Sequence, residues 1–151
     1  MIRKINHKKE FIARKIFDLF QSSYKIEAEI LEVDNFPPLQ RTIQQFVKSI
    51  TEFYAFYKDK EIVALIEVSG DDRCIDIESL VVDPAYFRNG IGAQLMRYIF
   101  SLKKTEMFVV ETGLQNRPAV LLYEKLGFQE VKQWDTSFGV RKIRLKKPSK
   151  I

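Results

Sequence analysis

Apolar and polar positions repeat with a helical period in the first part of the chain and with a strand period in much of the rest. "KKEFIARKIFDLFQSS" sets Phe11, Ile12, Ile16, Leu19 and Phe20 on one helical face, with the Lys15 stem along its edge. "IRKI" before it reads as a short strand. "YKIEAEILEVDNFPP" starts in helical register and ends as loop. Pro38 suits a first helical position, and "LQRTIQQFVKSI" then gathers Leu39, Ile43, Phe46, Val47 and Ile50 on one face.

From there the period shortens. "EFYAFYKDKEIVALIEVSG" predicts a hairpin turning at Lys58–Lys60, and "CIDIESLVV" predicts a third strand ending at Asp83-Pro84. "GAQLMRYIFSLKK" predicts a helix with Leu95, Met96, Ile99, Phe100 and Leu102 apolar, and "EMFVVE" a strand. Asn116 is placed to cap "RPAVLLYEKL", with Gly127 just past its end. "FQEVKQW" and "SFGVRKIRL" complete the order β-α-α-β-β-β-α-β-α-β-β. The expectation is one domain over residues 1–151 of α/β class, a mixed sheet of roughly seven strands with helices on both faces. The unit from 73 to 111 should be a parallel, right-handed crossover.

Composition narrows the function classes. The chain has 151 residues, 46% apolar and 30% charged, which suits a packed globular domain. No apolar run approaches the ~20 residues of a membrane span. Charges interrupt the N-terminus where a secretory core would lie, and the single cysteine, Cys74, has no internal partner; both favour the cytoplasm. The net charge is +5, much of it in "RKIRLKKPSK", whose end (about 146–151) is expected to be solvated rather than a nucleic-acid arm. One histidine and one cysteine offer no zinc-binding spacing, and His7, flanked by lysines, is expected at the surface.

"DPAYFRNGIGAQLM" raises a separate question, because Gly90 and Gly92 stand where a helix is about to begin. One explanation is a tight turn with close helix–sheet packing. The other is an anion cradle, in which backbone N–H groups and the helix dipole face a phosphate. A P-loop is excluded, since no G-x-x-x-x-G-K-[ST] string exists. A dinucleotide fingerprint fits poorly, because Leu95 fills its third small position and the run from Val82 to Gly90 is long.

"LVVDPAYFRNGIGAQLM" followed by "NRPAVLLYEKLGF" resembles the GNAT superfamily of N-acetyltransferases, closely over about residues 52–131. The family cradle, Q/R-x-x-G-x-G/A, falls on Phe87–Gly92, and Phe87 departs from its first position. The resemblance implies acetyl-CoA as co-substrate. Its pyrophosphate would lie on the N–H groups of Arg88, Asn89, Gly90, Ile91, Gly92 and Ala93. Its pantetheine would run along Leu80, Val81 and Val82, where the parallel strands splay. Asn116 would contact the cofactor arm. Tyr123 would act as general acid to the CoA thiolate, whose pKa of about 8.5 asks for modest help. A base for the amine would come from Glu111, Glu78 or Asp76, directly or through water, unless the reaction uses no dedicated base. The acceptor would be a small-molecule or peptidyl primary amine, lined by "SSYKIEAEILEVDNFPPL", whose Glu27, Glu29, Glu32 and Asp34 either attract a cation or form a solvated face. A monomer or homodimer is expected, and no metal. The alternative is a non-catalytic acyl-CoA-binding sensor or partner-binding module.

Overall fold

The computed structural model describes residues 1–149. β1 (Ile2–Ile5) leads into the long helix α1 (Glu10–Leu31), a 3₁₀ turn at Pro37–Gln40 and a short helix α2 (Ile43–Lys48). β2 (Glu52–Lys58), β3 (Glu61–Gly70) and β4 (Cys74–Val82) form an antiparallel meander. A 3₁₀ turn at Pro84–Tyr86 precedes α3 (Ile91–Leu102), followed by β5 (Met107–Gly113), α4 (Arg117–Lys125), β6 (Gln129–Asp135) and β7 (Arg141–Pro148). One seven-stranded sheet runs in the order β1-β2-β3-β4-β5-β7-β6, with β4 and β5 parallel and every other pair antiparallel.

Two apolar layers flank this sheet. On one face α3 and α4 bury Leu95, Met96, Ile99, Val120 and Tyr123 against Ile66, Ile75, Phe108 and Val110. On the other, α1 and α2 bury Ile16, Phe20 and Phe46 against Phe53, Leu65 and Val81. The β2–β3 turn is tight: Asp59 and Lys60 both take positive φ, 50° and 75°, the twist a two-residue hairpin needs.

The structure departs from the sequence expectations in identifiable places. α1 continues to Leu31, so Glu27 and Glu29 lie on a helix and not in a loop. The helix expected from Pro38 is broken. Pro37–Gln40 is a 3₁₀ turn, and α2 begins only after Thr42, which forms a capping box with Gln45. Ile50 consequently falls outside the helix and is 96% exposed. His7 is not at the surface: it is 7% exposed, its ring packs on Phe53, and its Nε2 donates to the Ser49 carbonyl at 2.7 Å. The basic end also takes part in the sheet: Lys146–Pro148 belong to β7 between β5 and β6, with Lys146 and Pro148 exposed, and residues 150–151 of that stretch lie outside the described residues.

Candidate functional site

The site begins where two parallel strands part. β4 and β5 pair only from Cys74↔Met107 to Ile77↔Val110, although β4 runs on to Val82 and β5 to Gly113. Beyond that point β4 is bonded on one side only, to β3. An unpaired strand edge inside a sheet leaves backbone donors and acceptors open to a ligand.

A bulge sits at the fork. Val68 pairs with Ile77 and Glu67 with Ser79, so Glu78 is the extra residue. It reverses the alternation of β4: Ile75 and Ile77 join the α3–α4 core, and so do Leu80 and Val82. Glu78 and Asp76 keep company with Glu67 and Arg41 on the α1–α2 face. Burial, then the Glu67 and Asp76 charges, push the Glu78 carboxyl up, with Arg41 opposing and Glu111 adding to the rise.

At the open end of β4 the chain turns into α3. Arg88 and Gly90 both take left-handed φ, 65° and 72°, and no side chain caps the helix. Among the described residues, none of the backbone N–H groups from Arg88 to Ala93 finds a backbone or side-chain acceptor. A Cβ on Gly90 would meet nothing within 4 Å, so the turn that carries these donors is open on that side, and the positive φ is what favours glycine there. A Cβ on Gly92 would touch Leu122 and Leu80 at ordinary contact distances, 3.5 and 3.6 Å. Close helix–sheet packing therefore does not demand glycine there.

Three positions on one stripe of α1 lie across the parted strands. Tyr24 sits beside Ser79 of β4. Glu27 accepts a 2.9 Å hydrogen bond from Nδ2 of Asn116, just after β5. Leu31 presses on Gly113 at the end of β5, where a Cβ would lie 2.7 Å from a Leu31 methyl. Asn116 also caps α4, accepting from the Ala119 N–H. Tyr123, two turns along α4, is 5% exposed. Among the described residues its hydroxyl has no hydrogen-bond partner, yet no buried side-chain polar atom is unpartnered. The oxygen therefore keeps a small exposed surface. Burial, then the Glu27 charge, raise its titration well above a tyrosine's ordinary value. Burial also pushes Glu27 itself up to about 7, against the opposing Asn116 bond and Lys142 charge.

Glu111 stands directly opposite Arg144 across β5 and β7, and the two form an ion pair at 2.5 Å. The acidic stretch once expected to act together is divided: Glu27 turns inward, while Glu29, Glu32 and Asp34 are exposed. Beside it lies a network that sequence reasoning missed. Glu67, 1% exposed, accepts two 2.7 Å bonds from Arg41, one of 2.7 Å from Thr51 and one of 2.9 Å from Ser79. The signals were present in both cases. Glu67 interrupts the apolar run Ile62–Val68, and Glu27 continues the buried helical stripe Ile16, Phe20, Tyr24.

The model of the acetyltransferase (GNAT) family matches residues 13–128, which include the fork, the open α3 N-terminus and the α4 tyrosine. The chain belongs to the GNAT family. It is 32% identical over 141 residues to the UPF0157 protein YqkA of Bacillus subtilis, covering 93% of this chain and 41% of YqkA. It is 39% identical over 75 residues to human N-alpha-acetyltransferase 30, covering 46% of this chain and 21% of that protein. The chain thus spans less than half the length of either relative. The paiA N-acetyltransferase of Thermoplasma acidophilum, solved in complex with coenzyme A, shares the fold with a TM-score of 0.76 at 17% identity, over 98% of each chain. Among the described residues, no helix of this GNAT protein is long and apolar enough to cross a membrane.

Proposed function

We propose that this GNAT protein transfers the acetyl group of acetyl-CoA to a primary amine, which attacks the thioester directly in a ternary complex. The parting of β4 from β5 beyond Ile77 and Val110, beside a helix N-terminus with unanswered N–H groups, carries this reading. The residues present suit the cofactor. The donors from Arg88 to Ala93 would take the pyrophosphate oxygens, and the left-handed Gly90 opens the approach. The free edge of Leu80–Val82 would bond the pantetheine amides as a missing strand would. One N–H of that edge would polarise the thioester carbonyl, an interaction that needs no special side chain.

Tyr123 suits the proton donor to the departing thiolate. Its hydroxyl carries its proton at neutral pH, and burial, by raising its titration, makes it a weaker acid than a free tyrosine, so the support for this role is its position on α4 beside the fork. The acceptor side carries Asp76, Glu78 and, facing Lys142, Glu27 around the fork, while Glu111 is paired with Arg144. Such an excess of carboxylates supports an ammonium-bearing acceptor, either a small polyamine or a peptidyl amine.

CoA release should be followed with saturating acetyl-CoA and four amines: spermidine, a lysine peptide with a blocked terminus, a peptide with a free α-amine, and a neutral short amine. The cationic acceptors are expected to lead. Tyr123→Phe should lower kcat by about 10²–10⁴-fold with little change in acetyl-CoA affinity. Acetyl-CoA binding without turnover of any amine would favour the sensor reading, and no binding would remove the acyl-CoA reading.

A further inference from the structure

We propose that Glu27, on the long first helix, is the carboxylate that takes the proton from the acceptor's ammonium group. The inference deepens the acetyl-transfer reading and rests on it. Glu27 belongs to the α1 stripe that lies across the parted strands, between Tyr24 over Ser79 and Leu31 on Gly113. An amine reaching a thioester held along the open β4 edge from the α1 side passes this stripe. A single 2.9 Å bond from Asn116 fixes one carboxylate oxygen, Oε1. No other hydrogen bond to Glu27 occurs among the described residues, so the second oxygen is free to accept.

The surroundings set its basicity. Asn116 and Tyr123 approach from α4, Lys142 from β7 and Tyr24 from its own helix. From the sheet, Glu67 acts on Tyr24 and Glu78, while Glu111 is taken by Arg144. Among the described residues Lys142 is the one cation that acts on Glu27, and it does not outweigh burial, so the group changes charge near neutrality. A base of that kind is half-ionised where it must work.

The step balances. The ammonium R–NH₃⁺ gives one proton to the Glu27 carboxylate, and the freed lone pair attacks the thioester carbon. The C–N bond forms, the C–S bond breaks, and the nitrogen sheds its second proton to water. The CoA thiolate takes a proton from Tyr123, which is reprotonated from solvent. The Glu27 acid then releases its proton to solvent, so the sum is amide, CoA thiol and one proton.

Glu27→Gln keeps the acceptor oxygen for Asn116, so the variant should fold. In the wild type, carboxyl-carbon NMR should show a side-chain carboxyl titrating near 7, and that signal should vanish in Glu27→Gln. With the fastest of the four amines, kcat/KM of the variant should fall by about 10²–10⁴-fold, with acetyl-CoA affinity unchanged. The acid limb near 7 of the wild-type pH profile should be lost in Glu27→Gln, leaving only the rise set by the amine's own higher titration, and should persist near 7 in Glu78→Gln and Glu111→Gln. A limb near 7 that survives Glu27→Gln, or disappears instead in either other variant, overturns the assignment to Glu27 alone. Absence of turnover by the wild type with all four amines overturns the acetyl-transfer reading itself, and this proposal with it.

Discussion

Glu67 and Glu27 lie on the same face of the same sheet, and their surroundings differ in kind. Glu67 is wholly buried and each of its oxygens accepts two hydrogen bonds, with the Arg41 guanidinium bidentate upon it. Arg41 in turn lies over the Phe46 ring, 4.4 Å from its centroid. Glu27 is half-buried, holds one neutral donor, and has no ion-pair partner among the described residues. A buried charge is tolerated when all its lone pairs are answered, and becomes reactive when they are not. Glu67 therefore fixes the segment that joins α1 to α2 onto the sheet. Glu27 retains the capacity to exchange a proton.

The most severe way to break this contrast is to remove Glu67. Glu67→Ala would leave Arg41 without its counter-charge and Ser79 and Thr51 without their acceptor. A loss of about 3–5 kcal/mol is expected, read as a lower urea midpoint at unchanged slope. If the variant proves as stable as the wild type, the network is incidental and the contrast with Glu27 fails.

Glu27→Gln should move stability the other way, and only at high pH. The folded carboxyl titrates at about 7, above its ordinary 4.5. Folding therefore binds a proton between these values, and the benefit of holding it is lost as pH rises through about 7. Glutamine never carries the buried charge. The variant should be more stable than the wild type by on the order of 2 kcal/mol at about pH 8, a difference that shrinks towards pH 4.5. Paired urea titrations at the two ends of this range check the sign. A variant less stable than the wild type at high pH would mean that Glu27 is held as a satisfied charge, like Glu67.

How much of this was legible beforehand follows from what periodicity can carry. The strand and helix order, the parallel crossover and the glycine turn at α3 are local patterns, and the structure has them. The break after Pro38 was hidden because Ile43, Phe46 and Val47 continue an apolar face, while Thr42 and Gln45, the capping box, lie off it. His7 reads as exposed from its lysine neighbours; its burial depends on Phe53 and Ser49, more than forty residues away. The bulge at Glu78 is invisible to a period-two reading, since it is a property of how β3 and β4 register. Glu27 is the instructive case. Its position on the buried stripe is readable from spacing, but its meeting with Asn116, 89 positions later, belongs to the fold.

The smallest expected effect concerns Glu111. Its carboxylate faces Arg144 directly across the strands, and both side chains are about a third exposed, at 32% and 33%. A pair open to water to that degree is screened, and cross-strand pairs of this type contribute roughly 0.2–1 kcal/mol. Glu111→Gln should therefore lower stability by less than about 1 kcal/mol, and a double-mutant cycle with Arg144→Gln should place most of that in the pairing. The loss should shrink further at high salt, as it does for exposed charges and does not for a desolvated network such as Glu67–Arg41. A coupling well above about 1 kcal/mol that salt leaves untouched would put Glu111 in the same class as Glu67. The fork would then have two structurally fixed carboxylates beside it, and Glu27 would stand further apart from both.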